Sequence, residues 1–132
     1  MSRRELREQI FKLLFRIEFN SREEMQEQTT FFFEEEENRA PEKDAALIEE
    51  KFNKILDKLE EIDAALNEKV QGWNTDRMGK VDLTILRLAV YELMHDDEVP
   101  TGVAINEAVE LAKKFGQDSS PAFVNGVLAK FA

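Results

Sequence analysis

Arg3, Arg4 and Arg7 stand at spacing i, i+1 and i+4, which on a helix lines three guanidiniums along one ridge of the first turns. Their planar forks of donors suit phosphate oxygens, and Lys12 and Arg16 extend the run. Other chemistry is scarce. The chain has no cysteine and a single histidine, His95, which excludes thiol catalysis, iron-sulfur clusters, thiolate zinc sites and a histidine metal site. It has no phosphate-binding glycine loop, no serine elbow and no metal or triad spacing, so it does not read as an enzyme and calls for no cofactor. Glu34, Glu35, Glu36 and Glu37 point in four directions and lack the turn residues of a calcium loop, so they read as a solvated face. His95 reads as a helix C-terminal residue stabilised by the dipole. Phe31, Phe32 and Phe33 span too wide an arc to share one buried face, and at least one ring is expected at the surface.

The arginine ridge is the one basic concentration in an acidic protein. Over 132 residues the formal charge is -10. Residues 1–16 carry five basic against two acidic side chains, residues 17–68 six against seventeen, and residues 69–132 seven against nine. An acidic average disfavours generic nucleic-acid binding, because the body's field repels a polyanion. It leaves room for RNA at the basic end and for a basic protein against the acidic body. A hydrophobic content of 42% supplies the core of a single domain, residues 1–132, without disulfides. No eighteen apolar residues run together, and charges follow Met1 and Ser2 where a signal core would lie. A soluble, cytoplasmic protein away from the membrane is expected.

Helices must position these groups. Ser2 with Glu5 has capping-box spacing, and Leu6, Ile10, Leu13, Leu14 and Ile17 predict a helix over about 3–19. Ser21 with Glu24 repeats the box and opens a second helix through Met25 toward Phe33. Pro41 fits a first helical position, and Ile48, Phe52, Ile55, Leu59, Ile62 and Leu66 predict one amphipathic helix to about Gln71. Gly72 and Gly79 bracket an irregular piece with Trp73. Leu83, Leu86, Leu88, Ala89, Val90 and Leu93 are apolar almost all round, as in a central helix, which Asp96, Asp97, Glu98 and Pro100 end. Thr101 is placed to cap the next helix, which carries Ala104, Ile105, Ala108, Val109, Leu111 and Ala112, with Gly116 as a left-handed stop. Ser120 and Pro121 read as a cap and first helical position of a last helix with Val124, Val127, Leu128 and Phe131. The fold class is all-α, with six or seven helices.

Three blocks carry a resemblance. They are Ile85-Leu86-Arg87-Leu88-Ala89-Val90-Tyr91-Glu92-Leu93, Ile105-Asn106-Glu107-Ala108-Val109-Glu110-Leu111-Ala112-Lys113 and Phe123-Val124-Asn125-Gly126-Val127-Leu128. In this order and separation, with Arg3-Arg4-x-x-Arg7 at the start, the chain closely resembles the NusB family of transcription antitermination factors over about two thirds of its length. The resemblance implies two small packed helical bundles and no catalysis. It implies boxA RNA of nascent ribosomal transcripts as ligand, NusE, a basic small-subunit ribosomal protein, as partner, and an RNA polymerase that reads through terminators.

Carried onto this sequence, the resemblance gives Arg3, Arg4 and Arg7 to phosphates, with Lys12 beside them, and Phe15 to a base or sugar. Gln117, Asp118, Ser119, Ser120 and Phe123 complete the RNA surface, and Asp76 and Asp82 face NusE. Phe15 stands where the family often has tyrosine, and Glu5 where it often has a basic residue. Leu6 and Ile10 replace small residues. Leu86, Ala89, Leu93, Ile105, Ala108, Val124 and Leu128 are core positions, while Asn106 and Asn125 are expected in buried or capping hydrogen bonds.

Two other readings belong to different classes. NusB-like domains also occur as the RNA-binding part of ribosomal RNA cytosine methyltransferases, which would make this chain a fragment. Alternatively, a helical module binds protein alone through its acidic face. Titration of boxA RNA with and without NusE discriminates among them. The sequence is compatible with a monomer and with a homodimer.

Overall fold

A computed structural model describes residues 1–70, 72, 75–76 and 78–132. Among the described residues the regular elements are helices: α1 (Arg3–Phe15), α2 (Met25–Glu34), α3 (Glu42–Asp57), α4 (Leu59–Lys69), α5 (Lys80–His95), α6 (Thr101–Phe115) and α7 (Ser120–Ala129). Short 3-10 turns cover Arg16–Glu18 and Glu36–Asn38. The expected all-α class is what is found. Trp73 lies outside the described residues. The chain divides into two compact units, Met1–Leu56 and Asp57–Ala132.

In the first unit α1 starts where the capping box places it. The Glu5 N–H donates to Ser2 Oγ at 3.1 Å, and the Ser2 N–H donates back to Glu5 Oε1 at 3.1 Å. The backbone bond first and the hydroxyl second hold the Glu5 carboxyl below its ordinary range. Reciprocal bonds of this kind satisfy two amides that no helical carbonyl can reach. The α-helix ends at Phe15 and tightens into the 3-10 turn, so the expected helix to residue 19 is four residues shorter. Ser21 and Glu24 also form both box bonds, at 3.3 Å and 2.8 Å, yet they close a turn ahead of α2 instead of its first residues. Phe32 is 1% exposed and Phe31 43%, which is the division that the width of the triplet requires.

The second unit is built round α5, which contacts α4, α6 and α7. Residues Leu83 to Glu92 of this helix are all buried, and its all-round apolar sequence has that physical cause. Leu86, Ala89, Ala108, Val124 and Leu128 are buried as expected, whereas Leu93 and Ile105 are only half-buried. Asn106 and Asn125 are exposed, which corrects the expectation of buried or capping roles.

Three boundaries also depart from expectation. The single helix predicted from Pro41 to Gln71 is two, α3 and α4, separated at Lys58 (φ -105°, ψ 5°). Thr101 is the first helical residue after Pro100, and no side chain caps that end. Gly116 has φ -93° and ψ -168°, so it is not a left-handed stop. Its lack of a side chain serves close approach: a Cβ there would lie 2.6 Å from Ser120 Cβ and Oγ and 2.8 Å from the Ala112 carbonyl oxygen. Gly116→Ala should therefore destabilise the fold by about 1–3 kcal/mol through overpacking. Urea melts check this, and a wild-type midpoint would show that the turn yields freely.

Candidate nucleic-acid interface

The capped start of α1 fixes the arginine ridge. Arg3 and Arg4 are exposed on its first turn, while Arg7 and Lys12 are half-buried further along. Arg16 does not extend the ridge. Its Nη2 donates to Glu35 Oε1 and Oε2 at 2.8 and 2.9 Å, and its guanidinium lies 5.0 Å from the centre of the Phe32 ring. Charge pairing and cation-π contact thus commit it to the unit's own packing. Phe15, half-buried at the end of α1, has ring neighbours on both sides, Phe11 at 6.3 Å and Phe19 at 5.2 Å. A cationic start and an aromatic end on one helix can hold phosphate and base together.

In the second unit the loop between α6 and α7 presents Gln117, Asp118 and Ser119 to solvent. Ser120 departs from the surface expected of it. It is 3% exposed, its Oγ accepts from the Gln117 N–H at 3.0 Å, and its own N–H donates to the Gln117 carbonyl at 3.0 Å. That hydroxyl closes the loop on itself. Ser120 is also the first residue of α7, so the helix starts one residue earlier than the Ser120–Pro121 reading placed it. Phe123 is half-buried in the first turns of α7.

Lys113 and Lys114 precede this loop in the last turn of α6. The Lys113 Nζ lies 3.3 Å from Glu110 Oε1, and the Lys114 Nζ lies 5.5 Å from the centre of the Phe115 ring. Adjacent lysines beside an exposed polar loop are a signal legible in the sequence.

Asp76 is exposed in a turn, and Asp82 is half-buried in the first turn of α5. A carboxylate there is favoured by the positive end of the helix dipole. His95 ends α5 as expected, with Nε2 3.5 Å from Glu61 Oε1. Thus Arg3, Arg4, Arg7, Lys12 and Phe15 belong to the first unit, while Gln117, Asp118, Ser119, Phe123, Asp76 and Asp82 belong to the second. No helix among the described residues is long and apolar enough to cross a membrane.

A model of the NusB family matches residues 4–132. The chain belongs to the NusB family. It is 53% identical over 132 residues to the transcription antitermination protein NusB of Agathobacter rectalis, with all of both chains covered. Antitermination, not catalysis, is thus the activity that goes with this NusB sequence. Among solved structures, T. maritima NusB matches with a TM-score of 0.84 and 32% identity, covering 100% of this chain and 91% of that one. A crystal structure of the antitermination factors NusB and NusE in complex with dsRNA matches with a TM-score of 0.79 and 26% identity, covering 98% and 94%.

Proposed function

We propose that the chain binds boxA RNA of nascent ribosomal transcripts together with NusE, in the cytoplasm, as one domain of the RNA polymerase antitermination complex. Arg3, Arg4, Arg7 and Lys12 hold phosphates, and Phe15 and Phe123 receive bases. Gln117, Asp118 and Ser119 border the RNA, and Asp76 and Asp82 face NusE. The observation that carries the reading is the exposed arginine turn of α1, which leads along the helix to Phe15 in a protein of charge -10. The NusB–NusE complex with dsRNA supports the pairing of partners. Single-stranded boxA is favoured because a ring can stack only on a base that is free of its helix. The end-to-end match to an antitermination protein favours this reading over a methyltransferase fragment.

Three or four cations working against an acidic body should bind RNA weakly alone and more tightly with NusE. Titration of single-stranded boxA RNA, with and without NusE, should give a logarithmic salt slope of roughly -2 to -3. Changing Arg3, Arg4 and Arg7 together to alanine should weaken binding and flatten that slope by about 2, while circular dichroism and melting stay as in wild type. Unaltered affinity of the triple variant for boxA and NusE would remove the ridge from the reading.

Phe15→Ala should lower RNA affinity by about 1–3 kcal/mol, the range for a lost base-stacking ring. Its half-buried ring also touches Phe11 and Phe19, so melts must accompany the titration. A stability loss of about 3 kcal/mol or more would mark Phe15 as a packing residue.

A further inference from the structure

We infer that Phe19 is a second stacking position for RNA and takes the base next to the one received by Phe15. This rests on the reading of α1 as an RNA-binding helix and carries that surface past the helix end. Arg3, Arg7, Phe11 and Phe15 step by four residues along α1, and Phe19 follows at the end of the 3-10 turn with its ring 5.2 Å from that of Phe15. Exposure of the rings rises in chain order, from 4% at Phe11 through half-buried Phe15 to 61% at Phe19. Phe19 is the most exposed large apolar side chain among the described residues.

The ring is carried on a held turn. The Phe19 N–H donates to the Arg16 carbonyl at 3.1 Å, and Asn20 Nδ2 donates to the same oxygen at 2.9 Å. Arg16 is itself fixed by Glu35. A platform ordered before the ligand arrives loses little entropy on binding. The Phe15 and Phe19 rings lie 5.2 Å apart and are inclined by 67°, so one flat base cannot lie on both. They suit two successive bases splayed from a single strand.

The surroundings favour a base over an apolar protein surface. Glu18, Asn20, Ser21 and Arg22 flank the ring in sequence, and none of them is buried. A protein anchor sits at the centre of a desolvated patch, whereas a base needs only one ring face. The charges agree with that assignment. Glu18, Glu23 and Glu24 outnumber Arg22 at this end and make it poor for phosphate, so α1 runs from a phosphate-holding start to a base-holding end, about 12 Å from Arg7 to Phe15 at helical rise.

The test is fluorescence anisotropy of labelled single-stranded boxA RNA with the full chain and NusE. Phe19→Ala should weaken binding about 5-fold or more with an unchanged melting midpoint. Phe19→Tyr and Phe19→Trp should keep affinity, and Phe19→Leu should behave like alanine. In RNAs made abasic at one position at a time, one position next to that lost with Phe15→Ala should stop mattering in Phe19→Ala.

Wild-type affinity of Phe19→Ala, beside a weakened triple arginine variant, would overturn the inference and leave the RNA reading standing. If neither variant loses affinity, the RNA reading fails and takes the inference with it. Full rescue by leucine would overturn stacking in favour of a general apolar contact. A loss seen with NusE alone and absent with RNA alone would assign the ring to protein.

Discussion

Asp63→Ala should destabilise the protein by about 2–4 kcal/mol, because it removes the carboxylate that holds a buried guanidinium by two bonds. Arg87 lies in the middle of α5 and is 9% exposed. Its Nε donates to Asp63 Oδ1 at 2.9 Å and its Nη2 to Oδ2 at 2.8 Å, the bidentate form in which a planar fork meets a carboxylate. Breaking a fully buried pair by removing one partner costs about 3–5 kcal/mol, most of it from the charge left behind. The Asp63 side chain keeps 24% exposure, so water can reach part of the gap and the expected cost falls somewhat below that range.

The converse change is milder. Arg87→Met fills similar space without charge and leaves Asp63 at an edge where solvent can serve it, so about 1–2 kcal/mol is expected. The double variant should then be more stable than Asp63→Ala alone. Urea melts of the three variants test the account. An Asp63→Ala midpoint within about 1 kcal/mol of wild type would show that water replaces the carboxylate, and that the pair adds little.

The pair also shows where sequence reading stops. That α5 is a central helix is legible, since Leu83, Leu86, Leu88, Ala89 and Val90 leave no polar face wide enough for solvent. That Arg87 in the same run needs a carboxylate is a general rule, yet nothing in the spacing points to a residue 24 positions away. The division at Lys58 was hidden for a related reason. The apolar steps from Ile48 to Leu66 continue across it, and Lys58 is neither glycine nor proline, so periodicity alone reports one helix.

Gly116 ends α6 through close approach and not through a left-handed backbone. Left-handed backbone and close approach both call for glycine, and only the position of Ser120 separates them. The candidate site divides in the same way. The arginine turn is readable from i, i+1, i+4 spacing, whereas Gln117, Asp118, Ser119, Asp76 and Asp82 came only from family resemblance. Arg16 shares the ridge's spacing but is drawn off by Glu35, 19 residues on. Phe19 was readable as the third ring at a step of four, but its exposure was not.

Changing Asp76 and Asp82 together to lysine should weaken the proposed binding of NusE by at least about tenfold and slow association at low salt, since two carboxylates facing a basic protein become like charges. RNA alone should bind as well or slightly better, because the same reversal adds cations. The two sites make this an uneven pair. Asp76 is exposed in its turn, so a lysine there meets no steric barrier. Asp82 is half-buried on the first turn of α5, where exchange for a cation opposes the helix dipole and costs about 0.3–1 kcal/mol of stability. That loss must be measured and removed before affinities are compared, through the folded fraction at the temperature of the titration. Slower association that recovers as salt rises would identify long-range attraction, because screening weakens exposed charges beyond about a Debye length. Calorimetry that finds wild-type affinity for NusE in the folded double variant would confine Asp82 to the helix terminus and remove both residues from the partner surface.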